Sequence, residues 1–254
     1  MKKEAARVTT SSEGVVFEAG TRTLWTLRWA DIDQVQAFKL DLITHDDVCL
    51  ELTAARKTYT IDEETAGWSE LLAAIGRQFQ IAPDWLSIVV APVFATNRSV
   101  LWDRRVALAM QRFASVSSSI RLSSRCHLLL NDTSLQDWND ALAVVRGMFG
   151  MVEVDSNGTA LVHGLTPRHF HGAHQATISF RAGDIRVRGT CTNASRIEFE
   201  VPPGDVQSDA DRALLLRLLV ILSAYLRREA IIAGDGDAIV IAHPDGELLT
   251  PSPA

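Results

Sequence analysis

Short alternating segments dominate the first 61 residues and predict a β-rich domain. Apolar and polar side chains alternate through 21–29, and turn residues separate this segment from neighbours of similar composition. The predicted strands are 14–18, 21–29, 35–40, 48–52 and 57–61. Because both faces of the alternating segments carry apolar bulk, the pattern favours a curved antiparallel sheet or a small barrel.

A helix is predicted directly after these strands. Apolar residues recur there at helical spacing, at Trp68, Leu71, Leu72, Ile75 and Phe79. The spacing predicts a helix over 65–80 that lays one apolar stripe on the sheet. Pro83 and Pro92 resist helix continuation and indicate an extended tail over 82–97. A first domain over residues 1–97 follows from this pattern.

Residues 98–125 differ in composition from both flanks and are predicted to connect two domains. Six arginines stand there against the single acid Asp103, and a serine-rich run lies near the end. Apolar residues such as Val106 and Phe113 indicate that part of this connector is helical.

The remaining chain alternates between helix and strand patterns and predicts an α+β domain over 126–245. Ser134 with Asp137, and Ser208 with Asp211, have the spacing of a helix N-terminal capping box. Predicted strands lie at 128–130, 151–154, 160–163, 176–181, 185–189, 196–201 and 238–242. We therefore expect an antiparallel sheet packed on two helices, followed by a disordered tail over 246–254.

Composition and charge narrow the functional classes. The chain has 254 residues, 47% of them hydrophobic and 22% charged, which suits two packed domains. A net charge of −6 gives no basis for broad attraction to nucleic acid. The longest apolar run, 214–226, contains Arg217 and is too short to span a bilayer. Three widely spaced cysteines and a charged start without a signal-peptide core indicate a cytoplasmic protein.

The first 97 residues carry a motif string that resembles a known group of proteins. The string runs from Trp29 through Asp31, Phe38 and Asp47 to Gly67-Trp68. It resembles a family of small uncharacterised bacterial proteins whose layout is similar to bacterial pleckstrin-homology-like domains. This resemblance implies a binding scaffold rather than an active site, and it does not extend beyond residue 97.

Arginines in the second half form the first candidate binding feature. Four lie on predicted strands, Arg181, Arg186, Arg188 and Arg196. Arg186 and Arg188 share one sheet face, so they could grip a phosphate or an acidic peptide, although a solvated sheet face explains the same pattern. Trp102, in the arginine-rich connector, is a candidate interface anchor.

A histidine-rich loop is the second candidate feature. His169, His171 and His174 follow His163 on one segment, and imidazole nitrogens are good ligands for zinc and related metals. The spacing matches no standard metal motif. A loop whose histidines hydrogen-bond to backbone is the alternative, and we favour it.

Catalysis is not favoured, because a nucleophile elbow, a phosphate-binding loop and a dinucleotide fingerprint are all missing from the sequence. The sequence predicts a non-enzymatic bacterial protein-binding module without a cofactor, of the adaptor, secretion-chaperone or toxin-immunity type. Its expected partner is another protein, and a homodimer stays open. Two alternatives remain, a metal-assisted hydrolase using the histidine loop and anionic small-ligand binding by the arginines.

Overall fold

The chain forms a mixed α+β structure that divides into two compact units, residues 1–104 and 105–254. The computed structural model describes residues 6–41, 46–81, 83–90, 98–113, 126–156, 158–160, 164–202, 204–234 and 237–250. These residues form three sheets, and each of them is antiparallel. None of the described helices combines the length and the apolar character needed to cross a membrane.

The described strands of the first unit form two sheets. The strands of the first sheet, in spatial order, are β1 (Ala6–Thr10), β2 (Gly14–Ala19) and β3 (Arg22–Arg28). The second sheet has the order β6 (Lys57–Asp62), β5 (Asp46–Ala54), β4 (Ile32–Asp41) and β7 (Arg98–Asp103). Because the described strands pair as two separate sheets, the small barrel offered as one alternative is wrong.

A helix covers the apolar interior between these strands. It is α1 (Trp68–Phe79), and it buries Leu71, Ile75 and Phe79 of the predicted stripe together with Ala74, while Trp68 and Leu72 are partly buried. Gly67 precedes it with φ +90°, and an added Cβ there would lie 2.0 Å from the carbonyl oxygen of Val8. Only glycine permits this approach of the helix start to β1.

Two predictions for the end of the first unit need correction. Residues 82–97 are not extended throughout, since Trp85–Val90 form a short helix, α2. Pro83 disfavours a helix before it but not one that begins after it. Residues 98–103 belong to β7, which pairs with β4, while the helical part of the predicted connector is α3 (Arg104–Phe113). Residues 114–125 lie outside the described part of the chain.

The described residues of the second unit contribute nine strands to its sheet. In chain order they are β8 (Cys126–Asn131), β9 (Val152–Ser156), β10 (Thr159–Ala160), β11 (Ala176–Ala182), β12 (Ile185–Thr190), β13 (Arg196–Val201), β14 (Ala230–Gly234), β15 (Asp237–Ala242) and β16 (Leu248–Leu249). Their spatial order is β10-β9-β11-β12-β13-β8-β14-β15-β16. The predicted hairpin of β11 and β12 is confirmed. Strand β14 was missed, and β16 shows that the predicted disordered tail at 246–254 is wrong for residues 248–249.

Helices α4 (Leu135–Phe149) and α5 (Asp209–Leu226) contact each other and pack on this sheet. Both predicted capping boxes are present, with the Ser134 and Ser208 hydroxyls accepting the N–H of Asp137 and Asp211. Arg228, just after α5, donates to the Asp137 carboxylate at 3.1 Å. The start of α4 is thereby tied to the end of α5.

Aromatic rings fill the space between the helices and the sheet. Trp138 on α4 is fully buried, and its ring centroid lies 6.0 Å from that of Phe199 and 5.7 Å from that of Phe170. Phe180 meets Phe199 edge-on at 5.5 Å. These contacts fix which face of each central strand is covered by helix.

Candidate binding site

The side chains of the central strands that point away from α4 and α5 form an exposed surface, which we call the open face. Alternation along β11, β12, β13 and β8 places twelve of them there, Thr177, Ser179, Arg181, Arg186, Arg188, Thr190, Arg196, Glu198, Glu200, His127, Leu129 and Asn131. Their chain neighbours, such as Val187 and Phe199, are buried against the helices. The sequence alternation therefore sets one polar and one apolar face.

One row of side chains crosses the open face from strand to strand. The register places Glu153 opposite Ser179, Ser179 opposite Arg188, and Arg188 opposite Glu200. Ser179 Oγ donates to Glu153 Oε2 at 3.3 Å. Farther along, His127 lies opposite Glu200, and its Nδ1 is 3.1 Å from Glu198 Oε1. Arg188 is thus the cation in the middle of a row with a carboxylate on either side.

Two grooves adjoin at Arg188. The first has a volume of about 470 Å³ and is lined by Phe149, Met151, Glu153, Ser179, Phe180, Arg181, Arg186, Val187 and Arg188. The second, of about 630 Å³, is lined by His127, Thr177, Ile178, Ser179, Arg188, Gly189, Thr190, Thr192, Glu198 and Glu200. Ser179 and Arg188 line both. Volumes of this size suit a small ligand or a few residues of a bound chain.

Three of the four predicted arginines are engaged by acids of the same unit. Arg186 forms a two-pronged pair with Asp205, with Nε–Oδ2 and Nη2–Oδ1 distances of 3.0 and 2.9 Å. The Arg186 side chain and its backbone N–H lower the pKa of Asp205 to about 2. Arg181 Nη2 lies 3.4 Å from Asp184 Oδ1, and Arg196 Nη2 lies 3.4 Å from Glu198 Oε2.

Arg188 differs from the other three. It is exposed, and among the residues that the structure describes it has no hydrogen-bond or ion-pair partner. Ser179 and Glu200 occupy the register positions beside it. A guanidinium in this position offers several N–H donors to an incoming acceptor without first breaking an internal pair.

The histidine loop is built differently from a metal site. His169 is buried and its Nδ1 accepts the backbone N–H of Thr166 at 3.0 Å, which caps a 3-10 turn over Pro167–Phe170. Burial lowers its pKa, and Arg168 contributes. His171 and His174 are exposed. Within the described residues, no three His, Cys, Asp or Glu side chains are grouped so that they could hold a metal ion. His163 lies outside those residues.

Trp102 belongs to the first unit, on β7. Its ring is partly buried against the core there, with its centroid 4.5 Å from that of Phe79. The Arg104 guanidinium lies 6.0 Å from the ring centroid. This packing explains Trp102 without a partner, so we do not include it in the candidate site.

Several residues of the site were not singled out from the sequence. His127, Glu198 and Glu200 lie on strands whose alternation was visible, but they are far apart along the chain. Met151, 66% exposed beside the first groove, directly precedes β9. The sequence indicated the polar face of each strand. The order of the strands in the sheet was needed to show that these residues lie side by side.

In the part of the chain that the structure describes, the grooves hold no pair of side chains arranged for nucleophilic catalysis. His127 pairs with Glu198, but among the described residues no serine, threonine or cysteine side chain hydrogen-bonds to it as a nucleophile would. Cys191 and Cys49 are buried, and burial raises their pKa values to about 12 and about 11. Such thiols are poor nucleophiles near neutral pH.

Comparison with family models, with curated proteins and with solved structures gives no match. What can be inferred about function therefore rests on the geometry of the open face.

Proposed function

We propose that this chain is a non-enzymatic protein-binding module that receives its partner on the open face of the second unit. The observation that carries the proposal is Arg188, exposed where the two grooves adjoin and unpaired among the described residues. Arginine is enriched at protein interfaces and often dominates their energetics.

An apolar strip beside the grooves supports a protein partner. Leu129, Ile231 and Ile241 occupy facing register positions on β8, β14 and β15, and all three are partly exposed. Leu249 on β16 continues this row and is 43% exposed. An apolar row next to a polar groove resembles the mixed composition of a protein interface more than that of a small-ligand pocket.

Anionic small-ligand binding is a weaker alternative. Arg186 and Arg181 are already paired with Asp205 and Asp184, so a small polyanion would meet one available guanidinium. Glu200 and Glu153 flank that guanidinium in the central row. Their charges would repel a phosphate more strongly than they would a single carboxylate.

The finer assignments extend this proposal. A cytoplasmic bacterial adaptor, secretion chaperone or toxin-immunity protein fits a binding module with an acidic overall charge. For the first unit, the two antiparallel sheets and α1 support the pleckstrin-homology-like scaffold that the motif string implies. In this view the first unit is a second binding scaffold. An experimental structure of residues 1–104 would test whether this unit has the pleckstrin-homology-like fold.

Charge reversal at Arg188 tests the proposed function. Arg188→Glu is compared with Arg217→Glu, which changes an exposed arginine on α5, the helix packed on the opposite face. Each variant is tagged in the native host, and co-purifying proteins are quantified by mass spectrometry. We expect a stoichiometric partner to be lost with Arg188→Glu and kept with Arg217→Glu. Equal recovery with both variants would overturn the proposal.

A further inference from the structure

We infer that the open face binds an extended segment of a partner protein in which a carboxylate side chain lies close to a large apolar side chain. In this arrangement the carboxylate pairs with Arg188, and the apolar side chain contacts Met151 and Phe149 in the first groove. The inference rests on the proposed function and adds the chemistry of the partner.

The carboxylate follows from the donors and the charges around Arg188. The guanidinium fork matches a carboxylate in shape and can bind it through two parallel hydrogen bonds. The two grooves together are lined by three arginines and three glutamates, Arg181, Arg186, Arg188, Glu153, Glu198 and Glu200. Because Arg181 and Arg186 are already paired with Asp184 and Asp205, one guanidinium, that of Arg188, is available for one carboxylate, and Glu153 and Glu200 in the same row oppose a doubly charged phosphate.

The apolar contact follows from Met151. A methionine that is 66% exposed beside a groove leaves a flexible apolar surface in water. Phe149 is partly exposed in the same groove, which Arg181 and Arg186, with apolar side-chain stems, also line. Covering these atoms with a leucine-sized side chain is favourable.

The length of the grooves favours a polypeptide over a small molecule. Their linings run across five neighbouring strands, β9, β11, β12, β13 and β8. Four inter-strand spacings amount to roughly 19 Å, which is the length of about six residues in an extended chain. Hydroxyls of Ser179, Thr177 and Thr190 along this path can bond to a peptide backbone.

Fluorescence anisotropy with synthetic peptides tests the inference. The peptides have about six residues, blocked ends and a serine background, with Glu and Leu placed at every spacing and in both orders. Matched peptides replace Glu by Gln, Leu by Ser, or Glu by phosphoserine. We expect the best Glu/Leu peptide to bind at least about tenfold more tightly than its Gln and Ser counterparts. The full chain is used throughout.

Variants of the protein show which residue recognises the carboxylate and which recognises the apolar side chain. Arg188→Gln should abolish the preference for Glu over Gln, and Met151→Ser should abolish the preference for Leu over Ser, while Arg217→Glu leaves both unchanged. Tighter binding of the phosphoserine peptide would overturn the inference, as would the absence of any Glu preference. Self-association measured by light scattering and abolished by Arg188→Glu would identify a second copy as the occupant instead.

Failure of the inference can be told apart from failure of the proposed function. If no peptide binds but Arg188→Glu still loses a partner from the host, the open face is an interface and the inferred partner chemistry is wrong. If Arg188→Glu loses nothing from the host, the proposed function itself fails.

Discussion

Gly189 should not tolerate alanine, because a side chain there would collide with Phe199 and with the backbone of the neighbouring strand. It lies opposite Phe199 in the register of β12 and β13, between Arg188 and Thr190 of the open face. An added Cβ would lie 2.7 Å from Phe199 Cδ1 and 2.9 Å from the carbonyl oxygen of Glu198. Real Cβ contacts are longer than this, so the ring or the strand must shift.

The ring has little room to move. Phe199 is fully buried, and its centroid lies 6.0 Å from Trp138 and 5.5 Å from Phe180. Overpacking of this kind costs about 1 to 3 kcal/mol. We expect Gly189→Ala to lower the free energy of unfolding of the second unit by about 2 kcal/mol. With a urea m-value of roughly 2 kcal/mol/M, the midpoint falls by about 1 M.

A double-mutant cycle identifies the cause. Phe199→Leu removes ring atoms near the added methyl group, so the double variant should be more stable than the sum of the two single changes predicts, by about 1 kcal/mol or more. Urea unfolding is followed by circular dichroism, and segment-resolved hydrogen exchange shows which unit is affected. The reasoning would be refuted if Gly189→Ala cost less than about 0.5 kcal/mol, or if the two changes were additive.

Three further predictions concern buried and paired groups. Ser223→Ala should cost about 1 to 3 kcal/mol in urea unfolding, because the buried hydroxyl lies 2.6 Å from the Arg228 carbonyl oxygen and 2.9 Å from that of Ala242; no loss would contradict this role. Because its pKa is lowered to about 2, the Asp205 carboxylate should stabilise the fold fully above pH about 4, and this contribution is lost as the pH falls towards 2. Asp205→Asn should therefore reduce the loss of unfolding free energy between pH about 4 and pH about 2. An unchanged loss over this range would count against the Arg186–Asp205 pair. Cys191 should resist iodoacetamide at pH 8 in the folded protein and react in urea, as followed by mass spectrometry; rapid labelling of the native chain would show that the site is open.

Local signals were sufficient for much of the fold. The capping boxes at Ser134 and Ser208 depend on residues three positions apart, and both are present. The hairpin of β11 and β12 is likewise a short-range feature. Strand β14 was missed because Ala230–Gly234 is a short apolar run without polar alternation. Periodicity alone does not identify such a run as a strand.

The candidate site was only partly accessible from the sequence. Alternation placed Arg186 and Arg188 on one face, as the structure shows. It could not distinguish between them, because the partner of Arg186 is Asp205 on a later loop, and no pattern predicts that the loop returns to β12. Within the described residues the histidines do not come together as a metal-binding group, since His169 is turned inward by its own 3-10 turn.

The position of β8 sets a condition on how the second unit can be made. This strand is the earliest of the nine along the chain, yet it lies inside the sheet, between β13 and β14. Leu130 lies opposite Ile197 on one side and opposite Ala230, 100 residues later, on the other. During synthesis both edges of β8 therefore lack their pairing strands until most of the unit has left the ribosome. Such long-range pairing makes folding slow and exposes the nascent chain to aggregation. The open face therefore exists only once β13 has been synthesised and has paired with β8.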